Sequence, residues 1–204
     1  MAHALDRPQR RTVRLRGYDY ADAGASFVTV VAQDRACLFG EVVDDVMRLN
    51  AAGLVVVSWW GNLGRHFPSV LTDEFVVTPN HIHGIVFLGA NIPAEAWQMR
   101  DIVAAEAGDH TGSPLPADGA GNTDAGTFPT LATVVGWFKT RTTNDYIWGV
   151  KNDAYPPFRG RLWQRNFYEH IIRTDQTLDR IRTYIADNPS RWHDDDENPD
   201  RVGR

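Results

Sequence analysis

The chain has 204 residues, 26 acidic and 21 basic side chains and a formal net charge of −5. That length fills one domain with a full core, or one domain carrying an insertion, and leaves little room for two complete domains. The single cysteine, Cys37, excludes an internal disulfide framework and a cysteine-rich zinc site, which fits a reducing cytoplasm. No apolar run reaches membrane-spanning length, and the arginine-rich start (Arg7, Arg10, Arg11, Arg14, Arg16) leads into no signal-peptide stretch, so the expectation is a soluble, cytoplasmic protein with no membrane partner.

The charge is unevenly spread. Residues 90–127 hold six acids against one base, and 193–200 hold five more acids and no base. The remainder carries 15 acids and 20 bases, so a basic core bears two acidic stretches. Such a core attracts phosphates, although a mild positive balance is also common on solvated surfaces.

In chain order, residues 1–16 read as a basic flexible arm ahead of a domain spanning 17–192. Phe27 to Ala32 is short and β-branched, a buried strand. From Val42 to about Leu63 apolar residues recur at helical spacing and predict a helix, though Leu54 to Val57 would also suit a strand. Ser69 to Phe75 and Val76 to Leu88 predict two strands. The Gly, Ala, Asp, Thr and Pro content of about 90–127 predicts an acidic loop-like insertion. A helix follows from Thr130 to about Trp148, with Leu131, Val134, Val135 and Phe138 at core spacing. Leu162 to Gln164 and Tyr168 to Ile172 predict a last strand or strand pair. The final helix starts near Asp175 and stops near Asn188, because Pro189 disfavours helix in the residue before it. Residues 193–204 form an acidic tail. This order predicts an α+β, ferredoxin-like sandwich, with an antiparallel sheet and helices packed on one face.

Two patterns carry chemistry. In a strand, alternate side chains share a face, so His81 and His83 point together while Ile82 enters the core. On a helix, Tyr184 and Asn188 are neighbours at i and i+4. Two imidazoles with an oxygen donor suit an open site for Mg²⁺ or Mn²⁺, able to polarise a phosphate. A neutral tyrosine is a poor nucleophile and needs such an electrophile. Each residue also has a plainer use: a hydrogen-bonded strand histidine, an amphipathic helix tyrosine with a wet hydroxyl, a helix-terminal asparagine. His170 is a weaker candidate ligand or phosphate contact, more simply a structural strand histidine.

The segments Gly17-Tyr18-Asp19-Tyr20, Phe27 to Val30, Leu38-Phe39-Gly40, Phe75-Val76-Val77-Thr78-Pro79-Asn80-His81-Ile82-His83-Gly84, Trp163 to Arg173 and Tyr184-Ile185-Ala186-Asp187-Asn188-Pro189 occur in one order. Together they resemble the REP-associated tyrosine transposases of the single-tyrosine HUH transposase superfamily, over about residues 11–192 outside the insertion. The resemblance implies a metal-dependent endonuclease and strand transferase that cleaves single-stranded, hairpin-associated DNA through a 5′-phosphotyrosine intermediate. It assigns His81 and His83 to the histidine pair, Tyr184 to the nucleophile and Asn188 to the third metal ligand. Tyr168 is the rival nucleophile, but Tyr184 alone has a carboxamide one turn away. Lys139, Arg141, Arg165, Arg173, Arg180 and Arg182 are the candidate DNA contacts. The implied partner is a hairpin of the repetitive extragenic palindrome type, bound by a monomer or a homodimer. A non-cutting DNA or RNA hairpin-binding protein is the alternative; binding alone would need neither the histidines nor the tyrosine.

Overall fold

The computed structural model describes residues 24–89, 128–152 and 154–201. The basic arm and the 90–127 insertion expected from sequence lie outside these residues. The described elements are strand β1 (Ala25–Val31), hairpin strands β2 (Gly40–Val43) and β3 (Val46–Leu49), helices α1 (Ala51–Gly61) and α2 (Leu63–His66), strands β4 (Val70–Val77) and β5 (His81–Leu88), helix α3 (Leu131–Lys151), strand β6 (Tyr168–Ile172) and helix α4 (Asp175–Asp187). A 3-10 turn over Pro189–Asp194 follows α4.

Strands β4, β5, β1 and β6 lie in that order in one sheet, each antiparallel to its neighbour. The chain therefore runs strand, helix, strand twice, each crossover skipping one intervening strand, which is the ferredoxin-like arrangement expected. The hairpin β2–β3 is a separate two-stranded sheet.

The helix expected from Val42 begins only at Ala51. Asp44 and Asp45 adopt left-handed φ of 52° and 61°, the two-residue turn whose twist suits a tight hairpin, and this turns residues 40–49 into strands. Asn50 then caps α1, its Oδ1 accepting from the Gly53 amide at 2.9 Å. Leu54 to Val57, which also suited a strand, lies within α1.

Alternation along β1 and β5 divides two cores. Val28, Val30, Ile82 and Val86 face α1 and α3, joining Val56, Trp60, Val134 and Phe138. Gly84 on that face is held flush against Trp60: a Cβ there would lie 2.3 Å from Trp60 Cζ2. The two crossover helices thus share one face, as expected. The last helix, α4, lies on the other, packing Leu178 and Ile185 against Ala25, Phe27, Ile85, Phe87 and Ile172. His81 and His83 belong to this second face, so α4 puts Tyr184 and Asn188 over the histidine strand. The described tail beyond Trp192, expected to be an appendage, instead docks on the core. Arg35 Nε meets Glu197 Oε2 at 2.6 Å, and Asn80 Nδ2 donates to the Glu197 carbonyl at 2.8 Å.

Candidate metal and tyrosine site

The two imidazoles are buried side by side, with His81 Nε2 and His83 Nε2 3.0 Å apart. Strand pairing fixes the second ring: His83 lies opposite Thr29 of β1, whose Oγ1 is 2.8 Å from His83 Nδ1. The Phe27 ring stacks on it at 5.3 Å. His81 Nδ1 is 2.8 Å from Asn80 Oδ1. Burial pushes both histidines down to about 3, with their mutual proximity adding to the effect at His83, so both are neutral at pH 7.

Tyr184 comes down from α4 onto this pair, its hydroxyl 3.2 Å from His83 Nε2. Burial raises the phenol above its ordinary value, and Asp195 adds to the rise. Tyr168, the rival, lines the same cleft from β6 but is 59% exposed; its ring meets the edge of Phe27 at 6.3 Å.

Asp195 was missed. The run Asp194 to Glu197 reads in sequence as solvated tail, yet the Asp195 side chain is almost wholly buried, with Oδ2 3.7 Å from His81 Nε2. Potential donor atoms of His81, His83 and Asp195 all lie within 4.8 Å of one another. Asn188, expected as the third ligand, instead donates Nδ2–H to Asp195 Oδ2 at 3.0 Å. Its Oδ1 is buried with no hydrogen-bond partner, a donor-hungry oxygen beside the cluster. This donor set fits a divalent cation. The two Nε2 atoms, 3.0 Å apart, have the separation of adjacent ligands about 2.1 Å from one ion; with no ion between them, one ring must carry its proton on Nε2 to bond the other.

The expected DNA contacts separate into two kinds. Arg182 is buried and paired with Asp73, Nε to Oδ1 at 2.9 Å and Nη2 to Oδ2 at 2.5 Å, and also meets Asp179 at 3.3 Å. It is a structural cation, not a surface one. Lys139 Nζ donates to the carbonyls of Gln164 and Asn166, both at 3.0 Å, and of Arg165 at 3.4 Å. Its charge is spent on a loop, and burial lowers it to about 8. Arg141 lies over the rings of Trp59 and Trp137 on the helical face. Arg165, Arg173 and Arg180 are exposed, as is His170. Arg191, which the sequence reading passed over, lines the cleft of about 790 Å³ between β6, α4 and the tail, with Phe27, His83, Tyr168 and Tyr184.

No family model matches the chain. An uncharacterized protein of Haemophilus influenzae is 34% identical over 186 residues, covering 91% of each chain. The two proteins belong to one family. Among solved structures, a REP-associated tyrosine transposase bound to a REP hairpin aligns with this family member at a TM-score of 0.41 and 18% identity, over 86% of this chain and 72% of the other. A protein from Deinococcus radiodurans aligns at 0.35 and 15% identity, over 85% of this chain and 95% of its own. Among the described residues no helix is long and apolar enough to cross a membrane.

Proposed function

We propose that this protein is a metal-dependent, tyrosine-nucleophile DNA endonuclease and strand transferase of the transposase type, acting on single-stranded DNA next to a hairpin. The observation that carries the reading is the Tyr184 hydroxyl 3.2 Å from His83 Nε2, on the rim of a buried His81, His83 and Asp195 cluster. A binding-only protein has no use for a phenol aimed at a buried, neutral imidazole that is itself paired with a second.

His81, His83 and Asp195 would hold the cation, with Asn188 Oδ1 next to them. Mn²⁺ suits two imidazoles and a carboxylate better than the harder Mg²⁺. Bound there, a divalent cation supplies Lewis-acid polarisation of a phosphate oxygen. The chain's own residues do the rest. Because burial keeps the Tyr184 phenol protonated at neutral pH, its proton must leave as its oxygen bonds to phosphorus. The phosphorus–O3′ bond breaks, the departing 3′ oxygen takes up a proton in place of the one released, and the 5′ phosphate stays on the tyrosine. Attack by a 3′-hydroxyl on that linkage reverses the step and joins strands, so no external energy source is consumed. Phe27 buttresses both His83 and Tyr184, with its ring edge-on to the tyrosine at 6.0 Å. Exposed Tyr168, on the opposite lip, offers a stacking surface for an unpaired base.

The test is a denaturing gel with Mn²⁺ or Mg²⁺ and labelled single-stranded hairpins from DNA flanking the gene. The expected result is an SDS-resistant adduct that needs metal, survives Tyr168→Phe and vanishes with Tyr184→Phe. Loss with Tyr168→Phe alone would transfer the nucleophile to that residue. Tight, metal-independent binding with no adduct would leave a hairpin-binding protein.

A further inference from the structure

Asn80 is wholly buried, immediately before His81, and its carboxamide is fully used. Nδ2 donates to two main-chain carbonyls, of Arg35 at 2.9 Å and of Glu197 at 2.8 Å. Carbonyl oxygens only accept, so both amide protons are committed and the orientation of the side chain is forced. Oδ1 must therefore face His81 Nδ1, at 2.8 Å, and can only accept there. The proton on His81 is then on Nδ1, and the Nε2 lone pair points at His83 and Asp195. The second carbonyl held by Asn80 belongs to Glu197, two residues beyond Asp195. A single side chain thus touches both chain segments that supply the cluster, which are 114 positions apart between His81 and Asp195.

We infer that Asn80 is the positioning residue that assembles the cation site, fixing the His81 tautomer with its oxygen and pinning the Asp195 segment with its nitrogen. The inference rests on the cation reading of the cluster, but its tautomer half stands without it. Groups that orient metal-bound imidazoles in this way change affinity about 10- to 100-fold when removed. Asn80 also explains why the tail docks against a basic core: the Arg35 to Glu197 ion pair lies beside the same two carbonyl bonds.

The experiment uses the full chain, with long-range ¹⁵N–¹H NMR of the histidine rings in EDTA and Mn²⁺ titration by calorimetry, for wild type and Asn80→Ala. The expected wild-type result is His81 protonated on Nδ1. The expected variant result is loss of that single tautomer with Mn²⁺ affinity down 10- to 100-fold, while circular dichroism still reports a folded chain. A wild-type His81 protonated on Nε2 overturns the inference, even if the variant fails to fold. So does a folded Asn80→Ala protein with unchanged Mn²⁺ affinity. A wild-type chain that takes up no Mn²⁺ overturns the cation reading instead, and the tautomer alone then decides the role of Asn80.

Discussion

Arg182 shows how little a charge reveals until its neighbours are known. On the sequence it is one of several arginines near a tyrosine, suited to a phosphate; in the fold its guanidinium is clamped between Asp73 of β4 and Asp179 of its own helix. Removing one member of a buried pair strands the other, at a cost of about 3–5 kcal/mol. Arg182→Met is expected to lower stability by that amount, read as a fall in the urea midpoint, and, on the proposed function, to leave hairpin affinity unchanged in the surviving folded fraction. A variant of full stability with weakened DNA binding would restore Arg182 to the interface. The same distinction explains Asp195. His81, His83 and Tyr184 were legible because strand alternation and the helical turn are local rules. Asp195 lies in a run of four acids whose sequence signal is a solvated tail, and only docking of that tail brings one of them against an imidazole.

At the level of elements, the four strands of the main sheet and the two long helices lie near where they were expected, although the strand expected from Val76 starts only at His81, and Pro189 ended α4 where expected. The hairpin β2–β3 did not. Val42, Val46 and Leu49 fall at helical spacing, and two strands of four residues carry too little alternation to outvote it. The adjacent aspartates at 44 and 45 were the available signal, since both tolerate the left-handed turn that joins the strands. Gly84, inside the histidine strand, was a second such signal: an isolated strand glycine marks a close approach, and here Trp60 fills the space a Cβ would occupy. Gly84→Ala forces that fully buried indole, or the strand itself, to move, and overpacking of this kind costs about 1–3 kcal/mol. Chemical denaturation should show the loss, and Mn²⁺ affinity should fall with it because His83 is the preceding residue. Full stability in Gly84→Ala would mean that the interface between α1 and the sheet is loose.

For the molecule as a whole, the decisive fact is that the sheet is covered on both faces, and for different ends. The α1 and α3 side is an apolar core; the α4 side, closed by the tail, buries two imidazoles and a carboxylate where apolar residues would pack at lower cost. Without a metal, that arrangement ties stability to pH with a definite sign. The unfolded chain protonates each histidine near 6.5, the folded chain only near 3, so below 6.5 the unfolded state binds more protons and is favoured. In EDTA the folding free energy should therefore be level above pH 6.5 and fall as pH drops toward 3, by up to about 1.4 kcal/mol per pH unit for each histidine. Other groups titrate in that window, so the measurement is the difference in urea midpoints between the native chain and a His81→Gln, His83→Gln double variant. The native chain should lose stability more steeply, and parallel curves would mean that the folded pair takes up protons as readily as the unfolded chain. Added Mn²⁺ should oppose the acid loss near pH 6 in the native chain alone, because a ligand that binds only the folded state stabilises it in proportion to the logarithm of its concentration.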